Sequence, residues 1–310
     1  MPQPEVSPDH GLAVTVAARD GFPLAGTLFG AAPLAARAKI LLAPATGVAA
    51  RFYRPFARCL ASHGFDVLVI DYRGIGASRP ARFQGRRIAS LDAGFGTWAR
   101  LDLAAAWDSL AARLPALPMA YIGHSLGGQV FPLLPQATAA QAVMLVAAQV
   151  GWVGHWLRLS TLPKYVGLMG ALAVTAATLG YGPGRVFGGE DLPPRVARDW
   201  LSWGFHPRYL AGWHADARGR AAAVAAPVAC LGFSDDLDFA PPVAVDALSA
   251  WYPSAAVTRH TFGPADVGGR ALGHFGFFRE DPGEALWPWA ADWLMHALGL
   301  SIEADHAIRP

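Results

Sequence analysis

Five stretches of this 310-residue chain are apolar almost without interruption, where a half-exposed strand would alternate: 39–43 (KILLA), 65–70 (FDVLVI), 120–123 (AYIG), 142–148 (AVMLVAA) and 227–233 (PVACLGF). A strand that is apolar on both faces must be covered on both, which is the habit of parallel sheets flanked by helices. The intervening text is helical in period. Residues 97–114 (TWARLDLAAAWDSLAARL) combine good helix formers with apolar positions at helical spacing. Strands alternating with helices define the α/β class, with a mostly parallel central sheet and helices on both faces.

The rest of the chain fits around that frame. The first thirty residues read as a β-hairpin, with AVTVAA alternating, Asp20-Gly21 at the turn and PLAGTLFG returning. A helix is expected near 54–63, with Pro55 tolerated in its first turn and Gly64 ending it. After AVMLVAA the alternation lapses, and 150–216 carries only aromatic and glycine-rich helical text. It resumes at 227, with a strand at 256–262 (AVTRHTF) and a final amphipathic helix over 284–298. The expectation is a single domain, 1–310, with a helical insertion at 150–216.

Composition narrows the functional classes. Net charge is +2, and the cations are scattered arginines with Lys39 and Lys164 between them, so no basic stripe suits a nucleic acid. Cys59 and Cys230 fall in a helix and an apolar strand and read as small buried hydrophobes. The opening MPQPEVSPDHG has neither a basic n-region nor an apolar h-region, and a cytoplasmic location is the expectation. Residues 165–184 carry no charge over nearly the length of a membrane span, but glycines at 167, 170, 180 and 182 interrupt them. They read first as buried or surface-apolar helices and second as a weak membrane-surface contact. Oligomeric state is not legible.

Chemistry enters at 119–128, MAYIGHSLGG. Ser125 follows an apolar strand, opens a helix-like segment and is flanked by Gly123 and Gly127. A tight strand–turn–helix of this kind holds a hydroxyl clear of the sheet, and side chains at the glycines would strike neighbouring backbone. Free N–H groups at the helix start suit an oxyanion. Pro132 should break the following helix early. His124 is expected to line the pocket. A serine needs a base. Of ten histidines, His274 stands out, in the glycine-framed loop ALGHFGFF between the last strand and the last helix, at the sheet edge that carries Ser125. The histidines lack metal-ligand spacing such as HExxH. A base needs an acid to fix its tautomer. The loop after 227–233 offers Asp235, Asp236 and Asp238, which compete on equal terms; any of them gives the order Ser, Asp, His.

These motifs, Gly123–Gly128 (GHSLGG), Asp71–Ser78 (DYRGIGAS) and Gly273–Phe278 (GHFGFF), resemble those of the α/β-hydrolase-fold serine hydrolases, over about residues 12–298. The resemblance implies an α/β-hydrolase fold and a triad of Ser125, His274 and, by its spacing from Pro227, Asp236, with Asp235 as runner-up. It also implies an oxyanion hole from Leu126 N–H and a donor after the third strand. Relatives often carry His-Gly there; this chain reads Ala43-Pro44-Ala45-Thr46-Gly47, which assigns the donor to Ala45, with Thr46 as the alternative. The expected activity is hydrolysis of a hydrophobic ester through an acyl-enzyme, without metal or cofactor. The 150–216 insertion should cap the site, with Trp152, Trp156, Trp200 and Trp203 lining an apolar substrate pocket. Thioesterase, acyltransferase, amidase and perhydrolase chemistry on the same site are the alternatives, as is a non-catalytic small-molecule or lipid-binding protein.

Overall fold

In the computed structural model, residues 11–31, 36–157 and 160–300 are described; the 1–10 stretch discussed above lies outside them. Eight strands form one sheet in the order β1-β2-β4-β3-β5-β6-β7-β8. They are β1 Leu12–Ala17, β2 Pro23–Phe29, β3 Ala38–Ala43, β4 Phe65–Ile70, β5 Met119–His124, β6 Ala142–Val146, β7 Val228–Phe233 and β8 Val257–Phe262. The N-terminal hairpin pairs antiparallel, and β2 is antiparallel to β4; every pairing from β4 through β8 is parallel. The apolar runs account for this arrangement. All six residues of β3, β4, β5 and β7 and all five of β6 are buried, whereas β1 and β8 at the two edges keep exposed side chains.

The helices are α1 Arg54–Ser62, α2 Phe95–Thr97, α3 Ala104–Ala112, α4 Leu126–Gln129, α5 Leu162–Leu179, α6 Pro194–Gly204, α7 Ala217–Ala222, α8 Pro242–Ser249, the single turn α9 Glu280–Gly283 and α10 Trp287–Ala297. The segment expected as one helix over 97–114 is divided: α2 passes through a π-helical stretch, Trp98–Leu103, into α3. That widened turn carries Asp102, fully buried, whose carboxylate receives Arg73 Nε at 2.8 Å and Arg73 N–H at 3.0 Å. The far side of the Arg73 guanidinium reaches Asp20 in the β1–β2 turn. A buried arginine thus fastens the antiparallel hairpin to the helical layer, and desolvation pushes the Asp102 carboxyl up to about 6 even against that cation.

Between β6 and β7 the chain leaves the sheet for α5, α6, α7 and short 3-10 turns, and the described residues there contain no strand beyond the single bridge Gly182–Leu192. α5 is 18 residues long and apolar enough to cross a bilayer by length and composition. Only Tyr165, Met169 and Leu172 of it are buried.

Candidate active site

Parallel strands deliver their following loops to one edge of the sheet, so what comes after β3, β5, β7 and β8 converges. The turn after β5 is the tightest. Ser125 has φ 50° and ψ −115°, a conformation that L-residues rarely adopt. Surrounding bonds hold it there: Ser125 N–H donates to Val146 O, and the Ser125 carbonyl accepts Gly128 N–H and Gln129 N–H, both at 3.0 Å. The glycines are steric requirements. A Cβ on Gly127 would lie 2.2 Å from the Ala43 carbonyl oxygen, and one on Gly123 would lie 2.5 Å from Gly128 N. α4 has only four residues before the chain tightens into a 3-10 turn at Phe131–Leu133, which contains Pro132. Its aligned dipole is correspondingly small, so anion stabilisation at this turn falls to individual N–H groups. Leu126 N–H, the first of the helix, finds no acceptor among the described residues.

After β3, the expectation for Ala45 fails. Ala45 N–H donates to Tyr53 Oη at 2.8 Å, inside the protein, and is not free for a ligand. The next amide, Thr46 N–H, has no acceptor among the described residues, and Thr46 lines the cleft that Ser125 lines. This loop is braced from below: Tyr72 Oη donates to Pro44 O at 3.1 Å, and Asp71 accepts Ala50 N–H at 2.6 Å.

The aspartates after β7 separate cleanly. Asp236, 3% exposed, sets Oδ2 2.6 Å from His274 Nδ1, while its Oδ1 accepts Phe239 N–H and Ala240 N–H at 3.2 Å. Asp235 instead accepts Leu272 N–H at 2.9 Å, holding the loop that carries His274. Asp238 turns outward to Lys164 on α5, 2.9 Å away. His274 ring nitrogen Nδ1 is therefore committed to Asp236, and Ser125 and His274 line the same cleft.

That cleft lies where the loops after β3, β5, β7 and β8 meet, with Thr46, Ser125, Phe239 and His274 all in its wall. Its wall is mostly apolar, and α5 contributes Tyr165, Leu168 and Met169 to it. Of the four tryptophans expected there, Trp156 and Trp200 line the cleft and Trp152 and Trp203 do not. Trp203 is buried against Phe95, Tyr209 and His214, and Trp152 packs on His155. Two polar features escaped the sequence: Gln129 accepts Tyr209 Oη at 2.5 Å, and Gln149 donates to Phe239 O at 2.9 Å. His124 is also corrected. It is fully buried and lines no part of the cleft, its ring bonded to Tyr53 Oη and to the His274 carbonyl. Burial and the neighbouring His274 push it well below the ordinary imidazole range. Among the described residues no cluster of ligating side chains could hold a metal.

Against known proteins, the family model described as serine aminopeptidase, S33, matches residues 35–187. No curated protein sequence matches. Similar solved structures include a soluble variant of monoglyceride lipase from Saccharomyces cerevisiae with a substrate analog, at 14% identity and TM-score 0.68, covering 96% of this chain and 99% of that one. A carboxyl esterase from Bacillus coagulans in complex with glycerol is similar at 14% identity and TM-score 0.60, covering 93% and 98%. Est1E from Butyrivibrio proteoclasticus, with ferulic acid bound, gives 14% and 0.59, covering 92% and 100%. The fold is that of the α/β hydrolases.

Because the Gly127 contact is with backbone, no side-chain adjustment relieves it. Gly127→Ala should lower the unfolding free energy by about 2 kcal/mol or more, read by urea denaturation; a change within about 0.5 kcal/mol would show that the turn is not so constrained.

Proposed function

We propose that this protein is a serine esterase acting on neutral, hydrophobic esters. The observation that carries the reading is the convergence of Ser125 and His274 on one apolar cleft, with His274 Nδ1 2.6 Å from a buried Asp236 carboxylate. With Nδ1–H given to Asp236, the free Nε2 is the basic nitrogen. It takes the Ser125 proton as Oγ attacks the ester carbonyl, then returns it to the departing alcohol. Asp236 holds the tautomer and stabilises the transient imidazolium. Thr46 N–H and Leu126 N–H receive the oxyanion; removing one donor of this kind typically costs 10²–10³ in rate. Water then repeats the sequence on the acyl-enzyme. No step calls on a metal or cofactor.

The wall of the cleft supports the substrate class. Among the described lining residues, Asp238 is the only carboxylate, and Lys164 already neutralises it. An aminopeptidase must recognise a protonated α-amino group, and here that cation would have to displace Lys164. A neutral ester makes no such demand, and similar folds in monoglyceride lipase and carboxyl esterase accord with it. The helical segment between β6 and β7 serves as the cap, giving α5 as one wall. Two free thiols, Cys59 and Cys230, suit a reducing cytoplasm.

A fluorophosphonate probe should label the protein at Ser125, and Ser125→Ala should abolish both labelling and esterase activity; labelling that survives the change would remove the assignment. Asp236→Asn should lower kcat by roughly 10⁴-fold, and Asp235→Asn far less. The reverse ranking would transfer the acid to Asp235. Across p-nitrophenyl esters, kcat/KM should rise from acetate toward medium chains, while amino-acid p-nitroanilides are turned over poorly. Preference for the anilides would restore the aminopeptidase reading.

One observation also favours a membrane-surface contact. Beyond Lys164 in its first turn, the exposed residues of α5, Val166, Gly167, Gly170, Ala171, Val174, Ala177 and Thr178, are uncharged, and the same helix lines the cleft. A lipid surface meeting that face would present esters directly to the site. Co-sedimentation with phosphatidylcholine vesicles should fall when Val166 and Val174 are both changed to Asp; sedimentation that is absent, or unaffected by the change, counts against the contact.

A further inference from the structure

A buried chain of hydrogen bonds runs behind the cleft and joins two loops that have no contact in sequence. Ala45 N–H donates to Tyr53 Oη at 2.8 Å; Tyr53 Oη lies 2.8 Å from His124 Nδ1; His124 Nε2 lies 2.9 Å from the carbonyl oxygen of His274. Tyr53 and His124 are both fully buried. The two ends of the chain are peptide groups, which fixes the direction of every proton between them. A backbone N–H can only donate, so Tyr53 Oη accepts at that end, and its own proton is left for His124 Nδ1, its other hydrogen-bond partner among the described residues. A backbone carbonyl can only accept, so His124 Nε2 carries the hydrogen. His124 is therefore a neutral Nε2–H imidazole.

We propose that Tyr53 and His124 are positioning residues that lock the oxyanion loop to the loop of the general base. At one end, engaging Ala45 N–H turns that amide inward and leaves Thr46 N–H as the group offered to the cleft. At the other, His124 pins the backbone of His274, while Asp236 pins its ring. The base is thereby held at both its peptide and its imidazole, and its remaining freedom is small. His124 sits immediately before Ser125 at the end of β5, so the residue adjacent to the nucleophile ties together the groups that flank it. This rests on the roles given above to Ser125, His274 and Thr46.

The surroundings of His124 favour the neutral ring. The titratable side chains against it are Tyr53 and His274, and the remaining ring contacts are with Phe275 and Phe278. No carboxylate is hydrogen-bonded to it among the described residues, and a proton added to Nδ1 would oppose the one Tyr53 donates.

Nitrogen-15 NMR of histidine-labelled protein tests the tautomer without reference to catalysis. One ring, assigned by its loss in His124→Gln, should keep hydrogen on Nε2 and a hydrogen-bonded, unprotonated Nδ1 from about pH 8 to pH 5, across the usual imidazole range. A His124 ring that carries its hydrogen on Nδ1, or that gains a second proton in that range, overturns the proposal, whatever becomes of Ser125. Kinetics tests the positioning. Tyr53→Phe should lower kcat by roughly 10- to 100-fold with KM nearly unchanged, and Ser125 should still label to completion, more slowly. His124→Gln, which can still donate to the His274 carbonyl, should retain more kcat than His124→Ala. Wild-type kcat in Tyr53→Phe overturns the coupling, and if that variant fails to fold, the wild-type NMR measurement decides. Loss of the esterase reading itself would appear separately, as activity retained in Ser125→Ala.

Discussion

The site is organised by one close approach. Ala43, the last residue of β3, stands in register with Gly123 of β5, and its carbonyl faces the Cα of Gly127 with no room for a side chain between them. Two loops that leave adjacent strands are thereby pressed together. Ser125 is forced into its positive-φ turn because the chain must reverse within that space, and Thr46 comes beside it because the loop after β3 has nowhere else to go. The strain is sustained by the sheet below, where β3, β4, β5 and β6 are buried on every residue.

Strand order then assigns the loops their work. β5 lies between β3 and β6, so its turn has the loop of Thr46 on one side and the exit to the helical segment on the other. The loops that carry Asp236 and His274 follow β7 and β8 and meet at the cleft that Ser125 lines. Asp235 is part of how they meet: by accepting Leu272 N–H it fastens the loop of His274 to that of Asp236, whose carboxylate lies 2.6 Å from the His274 ring. Neighbouring aspartates thus divide a task that neither could perform alone, one placing the loop and the other the ring.

Much of this was legible in the sequence because it depends on local rules. Uninterrupted apolar runs fix the parallel sheet, and glycines around Ser125 fix the turn. Chain order places Asp236 and His274 in loops that follow successive strands of one edge. What stayed hidden depends on partners remote in sequence or on a half-turn of backbone. The sequence favours Ala45 over Thr46 as the donor, and Tyr53, eight residues on, takes the Ala45 amide. Trp203 and Trp200 lie three apart on α6, yet one packs inward against Phe95 while the other lines the cleft. His124 reads as a pocket residue because its neighbour is one, but successive residues of a strand face opposite ways. The π-helical turn at Trp98–Leu103 has no local signal, since it exists to carry Asp102 to Arg73.

A polar network at the centre of a hydrolase core would ordinarily be a liability, because each unpaired polar atom in low dielectric costs about 1–3 kcal/mol. Here the cost is avoided by termination. A chain of side chains that ends on other side chains can reverse all its protons at once and so exist in two states. One that ends on a peptide N–H and a peptide C=O has a single arrangement, with Tyr53 Oη and both His124 nitrogens satisfied. The same ends are the backbones of the two loops that must be held still. Satisfying the buried groups and fixing the loops are therefore one structural solution, and the His124 ring at the end of β5 reaches both Tyr53 and the His274 backbone.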